Sequence, residues 1–117
     1  MATRQAIRAQ LATNVEQYQW TGLLNGDDGN PLELYDYADG SIEFSGTFGV
    51  GGTIVWQGGN VAGNYYTLTD AQAAAISKTA AAIEQIAEVC RFVRPIVTAG
   101  DGTTSLIATL YVRRGRS

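Results

Sequence analysis

Residues 41–48, SIEFSGTF, change polarity at every step. Ile42, Phe44, Gly46 and Phe48 fall on one side, and Ser41, Glu43, Ser45 and Thr47 on the other. A period of two with one polar face is the pattern of a half-buried antiparallel strand, because successive side chains point to opposite faces of a sheet. The apolar face then needs a second layer to cover it, which restricts the chain to a sandwich or a barrel. The same alternation returns near the end of the chain. There Leu106, Ala108, Leu110 and Val112 share one face, and Ile107, Thr109 and Tyr111 the other. Both of those faces are fairly apolar, so this strand is expected to be central or covered on both sides.

Turn signals divide the rest into short strands. Tyr18 to Leu24 reads as a strand, and NGDDGNP, Asn25 to Pro31, as a tight turn in which glycine supplies positive φ and Asn and Asp tolerate it. Leu32 to Tyr37 is extended. Gly49 to Gly52 is a tight connection, Thr53 to Gln57 a strand, Gly58 to Asn64 a loop, and Tyr65 to Asp70 a further short strand. Phe92 to Thr98 and Thr104 to Arg113 read as the two arms of a hairpin about Gly100-Asp101-Gly102. Pro95 has no N–H to give to a ladder, so its strand is expected to have an edge or a bulge there. Met1 to Thr13 contains helix-friendly residues but too few apolar ones for a helix standing alone. It is expected to be an arm that orders on a partner. Ala71 to Cys90 has two readings. Propensity favours a helix capped by Asp70, with Ile76, Ile83, Ile86 and Cys90 at near-helical spacing. The context of short strands favours a turn at Ala71–Ala73, then strands around Ala75–Thr79 and Ile83–Glu88.

Composition narrows the classes of function. The 117 residues fit one domain. Only 16% are charged, against about 25% in ordinary soluble domains, so part of the surface is expected to be covered in the working state. Cys90 is the single cysteine, which excludes an intrachain disulfide and suits synthesis in a reducing cytoplasm. No run of 18 apolar residues occurs and the first eleven residues are polar, with Arg4 and Arg8, so neither a membrane span nor a signal peptide is expected. Net charge is −3, unevenly spread. Arg4, Arg8, Arg113, Arg114 and Arg116 lie at the ends, while eleven acids between Glu16 and Asp101 face only Lys78, Arg91 and Arg94. Basic ends on an acidic body can pair with neighbouring copies or an acidic partner. Five arginines without interleaved aromatics are a thin footprint for nucleic acid, which is disfavoured.

Reactive groups are scarce. The chain has no histidine, which removes the commonest general base and zinc ligand. Cys90 has no histidine to activate it and is expected to be an inert, buried thiol. GVGGT lacks the lysine and following helix of a phosphate loop. In NGDDGN the carboxylates are adjacent and the register does not fit a calcium loop. No catalytic residue, metal or cofactor is therefore expected, and the chain is not expected to be an enzyme. Aromatics remain. Phe44, Phe48 and Trp56 suit a core, whereas Tyr35, Tyr37 and Tyr65 lie near turns, where tyrosine is a good contact residue. Asn64, Tyr65 and Tyr66 are the candidates for a sugar platform.

The order of segments resembles small structural proteins of tailed bacteriophages, among them head decoration, or cement, proteins. The residues that carry the resemblance are Gly46–Phe48, Gly58–Asn64, Tyr65–Asp70, Ala82-Ile83, Arg91–Pro95 and Gly100–Thr104, within a span from Tyr37 to Arg114. It implies an all-β, jelly-roll-like antiparallel β-sandwich over residues 16–114, with an N-terminal arm at 1–15 and a tail at 115–117. It also decides Ala71–Glu88 in favour of strands. The implied role is that of a virion protein on the outer surface of the capsid, made in the host cytoplasm, binding the major capsid protein as a dimer or trimer and stabilising the head. A neck or tail position is the alternative address. Arg4, Ile7, Arg8, Leu11, Tyr35, Tyr37, Tyr65, Arg113 and Arg114 are the expected partner contacts. The pattern is also similar to discoidin-like, galactose-binding sandwiches, which implies a carbohydrate-binding module as a second reading. The loop QGGNVAGN departs from that family by lacking its serine and aspartate.

Overall fold

In the computed structural model, residues 2–34, 37–86 and 90–114 are described, the side chains of residues 37, 38 and 114 excepted. Twelve strands follow in chain order: β1 Thr3–Arg4, β2 Ile7–Ala12, β3 Val15–Leu23, β4 Asp28–Gly29, β5 Leu32–Glu33, β6 Tyr37–Thr47, β7 Thr53–Gly59, β8 Tyr66–Thr67, β9 Ser77–Lys78, β10 Ala82–Gln85, β11 Phe92–Ala99 and β12 Ser105–Arg114. No helix occurs among the described residues. One sheet has seven strands on the path β1-β4-β11-β7-β8, with β5 on β11 and β9 on β7. The other has five, in the order β10-β6-β12-β3-β2. All pairings are antiparallel except β1 with β4. The chain is an all-β sandwich.

The alternation read from the sequence is what holds the layers together. Ile42 and Phe44 of β6, Leu106, Ala108 and Leu110 of β12, and Trp20 and Leu23 of β3 are fully buried from one sheet. Ile54 and Trp56 of β7 and Val93 and Val97 of β11 meet them from the other. Each large side chain removed from water in this way contributes about 1.5–3 kcal/mol. Trp20 and Trp56 meet edge to face at 5.8 Å across the layers. The Trp20 indole N–H donates to the Asn30 carbonyl at 3.2 Å. The buried Trp56 N–H has no partner among the described residues, at a cost of about 1–3 kcal/mol that its area must outweigh.

The segment from Ala71 to Gln85 follows the strand reading, not the helical one. Asp70 does act as a capping residue, but of a turn: its Oδ1 accepts the amides of Gln72 (2.9 Å) and Ala74 (3.0 Å). Ala73 then takes φ 63°, which an α-helix cannot continue through. Ile76, fully buried, is fixed by ladder bonds from its amide to the Leu68 carbonyl and from the Trp56 amide to its own carbonyl. The end of the strand expected around Ile83–Glu88 lies outside the described residues.

Two expectations are corrected. The first is the terminal hairpin. β11 and β12 do not pair with each other: β11 lies between β7 and β4/β5, and β12 between β6 and β3. The connection Gly100–Thr104 crosses from one sheet to the other, and Phe48–Gly52, between β6 and β7, does the same beside it. The two crossings are tied together. Asp101 accepts the Val50 amide at 2.9 Å and the Thr103 hydroxyl at 2.7 Å, and the buried Thr104 hydroxyl donates to the Phe48 carbonyl at 2.7 Å. Turn residues therefore mark a corner between layers here. The second correction concerns residues 1–13. β2 forms a hairpin with β3, and β1 adds to β4 on the other sheet. An existing strand edge offers main-chain hydrogen bonds that outweigh alanine's helical preference. Residues 2–13 are thus built into the sandwich: Ala6 packs on the core, and Arg4 pairs with the buried Asp27 at 3.2 Å.

Pro95 behaves as expected. Its strand pairs with β5 at Phe92 and Val93 and with β4 only at Ile96, so the position without an N–H faces the gap between those two short strands. The Val97 amide, on the same side, donates to the Asp27 carbonyl at 2.8 Å. β12 is central in its sheet, with one face buried and the other half-exposed.

Candidate functional site: the outer face of the five-stranded sheet

Register defines this face row by row. The first row runs Ile83, Glu43, Thr109, Gln19, Ile7 from β10 to β2. The second runs Gln85, Ser41, Tyr111, Gln17, Ala9. The third runs Asp39, Arg113, Val15, Ala12. On β3, β6 and β12 these residues point outward because their neighbours along the strand fill the core, and the pairing carries the same face onto β2 and β10. The Gln19 amide donates to the Thr109 hydroxyl at 3.1 Å across the strands, as residues on one face must. Ile83 and Ile7, at the two ends of the first row, are 62% and 63% exposed, and Tyr111 at the centre of the second is 40% exposed.

The face carries little charge. Glu43 is one charge, and Asp39 and Arg113 neutralise each other at the lower edge, where Arg113 Nε lies 2.9 Å from Asp39 Oδ1. The hydrogen bond from Arg113 holds the Asp39 carboxyl below the usual carboxylate range, with desolvation opposing it and the Arg113 charge adding to it. Beside this pair, a depression of about 230 Å³ is bounded by Ser41, Gln85, Tyr111 and Arg113. Strand spacing of about 4.8 Å and a rise near 3.4 Å per residue bound the face at roughly 20 × 30 Å, the longer side reached only along β6 and β12. Among the described residues no strand pairs with the outer edge of β2, six residues long, whose one charged side chain, Arg8, is paired with Glu16.

Only some of the expected contact residues meet here. Ile7, the half-exposed Leu11 and Arg113 lie on or beside this face. Arg8 lies on the other side of β2, where it pairs with the buried Glu16, which also accepts the Tyr18 hydroxyl at 2.9 Å. Arg4 belongs to the other sheet, and Tyr65 directly precedes its strand β8. The Arg94 guanidinium sits 4.3 Å above the Tyr65 ring and is held by Asp28 at 3.0 Å and Gln57 at 3.1 Å. Tyr35 lies outside the described residues, as do the side chains of Tyr37 and Arg114. The charge asymmetry of the sequence is used within the chain: Arg4, Arg8 and Arg113 from the ends pair with Asp27, Glu16 and Asp39 of the body. Tyr111 and Ile83 were not singled out from the sequence as contacts. Alternation did place Tyr111 opposite the core face, and that was the available signal.

No cluster of three or more His, Cys, Asp or Glu that could hold a metal occurs among the described residues. No helix of the described residues is long and apolar enough to cross a membrane. The chain matches no family model, no curated protein and no solved structure.

Proposed function

We propose that this chain is a structural protein of a tailed-bacteriophage particle, a head decoration protein that lies across major capsid protein subunits. The reading rests on the resemblance carried by Gly46–Phe48, Arg91–Pro95 and Gly100–Thr104. The observation that supports it best is the outer face of the five-stranded sheet: sparsely charged, with exposed isoleucines at both ends and an edge strand that no described strand covers. Such a face binds by shape and apolar contact. At roughly 20 × 30 Å it offers on the order of 600 Å², below the ~800 Å² per partner of a standard stable interface. One copy alone would hold weakly. A dimer or trimer matched to a symmetric shell would gain by avidity, which fits a protein that works as an array. In this reading the chain is made in the host cytoplasm, acts on the outer capsid surface and needs no cofactor. A neck or tail position uses the same face.

Cosedimentation with purified shells tests the proposal. Tyr111→Asp and Ile83→Asp place a charge on the face at exposed positions, so both variants should fold, keep the parent melting temperature within a few degrees and fail to cosediment. Thr67→Asp, on the other sheet, should bind as the parent does. Failure of the parent chain to bind shells, or binding by both face variants equal to the parent's, would overturn the proposal.

A second reading, a carbohydrate-binding sandwich, draws on a different surface, where Tyr66 is 69% exposed on the seven-stranded sheet beside Asn64.

A further inference from the structure

The chain has five asparagines, and Asn25 alone is followed by glycine. Asn30 precedes Pro31, whose nitrogen carries no proton. Asn14, Asn60 and Asn64 precede Val15, Val61 and Tyr65, whose side chains crowd the next nitrogen. Asn25 and Gly26 are the two central residues of a turn closed by the Asp27 amide on the Leu24 carbonyl at 2.9 Å. Gly26 takes φ 85°, and a Cβ built there would meet nothing within 4 Å. Its amide makes no hydrogen bond with the described residues. Asn25 is exposed, and among the described residues its side chain makes one hydrogen bond, from Nδ2 to the Gly100 carbonyl at 3.2 Å. A bond of that length at an exposed position exchanges readily with water.

An uncrowded backbone nitrogen beside a side-chain amide is a nucleophile beside an electrophile. Hydroxide takes the Gly26 amide proton, and the nitrogen attacks Asn25 Cγ. A bond from the Gly26 nitrogen to Cγ forms, the Cγ–Nδ2 bond breaks, and Nδ2 leaves as ammonia after taking a proton from water. The product is a cyclic imide. Water then opens either imide carbonyl. Opening at Cγ leaves aspartate. Opening at the main-chain carbonyl leaves isoaspartate, in which the chain runs through Cβ and Cγ and is one atom longer.

We infer that Asn25 is a site of spontaneous modification through this imide, and that its isoaspartate product frees the first strand, β1, from the sandwich. The link is Asp27. Its Oδ2 accepts the Leu24 amide at 2.9 Å across the same turn, its Oδ1 accepts the Ala2 amide at 2.8 Å, and Arg4 pairs with it at 3.2 Å. The turn thus holds the carboxylate that holds β1. A longer main chain between Leu24 and Asp27 moves that carboxylate off these donors, and the buried Asp27 loses the partners that make its burial tolerable. The new carboxylate at residue 25 also has no proton to give to Gly100. The inference does not depend on the shell-binding face, which none of these residues lines.

Ageing the full chain at mildly alkaline pH, followed by cleavage after glutamate and mass spectrometry, tests it. The fragment 17–33 contains Asn25 and should gain one dalton, at a rate proportional to hydroxide and about tenfold or more above those of Asn14, Asn60 and Asn64. Isoaspartyl methyltransferase should then label that fragment. Asn25→Gln, whose longer side chain would have to close a larger and less favoured ring, should abolish both signals and keep the parent melting temperature within a few degrees. Hydrogen exchange reads the second half of the inference. The Asp28 and Asn30 amides donate to the Ala2 carbonyl at 3.1 Å and the Arg4 carbonyl at 2.7 Å, so they are protected only while β1 is docked. In the aged chain both should exchange about tenfold faster or more, with the amides of β12 unchanged, and aged Asn25→Gln should match the fresh parent. Conversion of Asn25 no faster than that of the other three overturns the assignment of the site. Full conversion with unchanged exchange at Asp28 and Asn30 overturns the release of β1.

Discussion

Replacing Gly29 by alanine should destabilise the sandwich through one identifiable collision. Gly29 sits in β4 beneath the β11 proline, and an added Cβ would lie 2.5 Å from Pro95 Cδ, 2.8 Å from Pro95 Cγ and 2.8 Å from Trp20 Cδ1. Carbon atoms rest at about 3.5–4.0 Å, so the new methyl overlaps two rings by roughly 1 Å. Neither ring can swing away: Pro95 is locked by its own covalent geometry, and Trp20 is fully buried and tied to Asn30. Overpacking of this kind costs about 1–3 kcal/mol. The loss of glycine's freedom in the unfolded chain offsets about 0.4–1 kcal/mol of that. A net loss of about 1–2 kcal/mol should lower the melting temperature by roughly 4–10 °C in a domain of this size. Thermal and urea unfolding followed by tryptophan fluorescence reads it directly, since Trp20 is one of the struck groups. The collision can be separated from a general dislike of alanine in β4 by a double-mutant cycle. With Pro95→Ala in the background, Gly29→Ala should cost less by about 1 kcal/mol, because two of the three close contacts are gone. If Gly29→Ala melts within a degree of the parent, or if its cost is the same with and without Pro95, the packing argument is wrong.

Two further outcomes follow from the same geometry. Asp101 is held down to about 2, first by the Thr103 hydroxyl and then by the amides of Val50 and Thr103. Its unfolded value is near 3.9, so the stability it contributes is complete above that value and is lost as pH falls from about 4 toward 2. Asp101→Asn should therefore lower the melting temperature at neutral pH and flatten its fall over that acid window, and an unchanged acid limb would count against the corner's role. Ala73, at φ 63°, occupies the left-handed region at a cost of about 1–2 kcal/mol. Ala73→Gly should be neutral or stabilising by up to about 1 kcal/mol, since relief of that strain exceeds glycine's own entropic cost, and Ala73→Val should destabilise. Chemical denaturation of the two variants side by side checks the order.

Much of the fold was legible because burial in a sandwich writes itself into a period of two. Ser41–Thr47 and Leu106–Val112 could be read without a structure, since one wrong step would put the whole apolar set into water. What alternation cannot say is which strand lies beside which. Asp101 shows why. A Gly-Asp-Gly stretch is equally good chemistry for a hairpin and for a crossing between layers. The choice is made by the distant Phe48–Gly52 segment, whose Val50 amide and Phe48 carbonyl supply the partners. The Ala71–Ala74 turn is a similar case. The Asp70 side chain that would cap a helix caps a turn instead, and the deciding interaction is Ile76 reaching ladder partners on Leu68 and Trp56.

The candidate face was less legible for a related reason. Arginines and rim tyrosines draw attention in a sequence because they are strong contact residues when unpartnered. Here Arg4, Arg8 and Arg113 pair with acids of the same chain, and Tyr65 lies under Arg94. A pair already satisfied within the chain gains little from a second partner, because docking must break or desolvate what is there. The surface left with something to gain is the opposite kind. Ile7, Ile83 and Tyr111 stand exposed on a sparsely charged face, each unremarkable by itself, and only the register brings them together. In a chain with so few charges, the binding potential lies in what pairing leaves uncovered, and that is a property of the assembled sheet, not of any one residue.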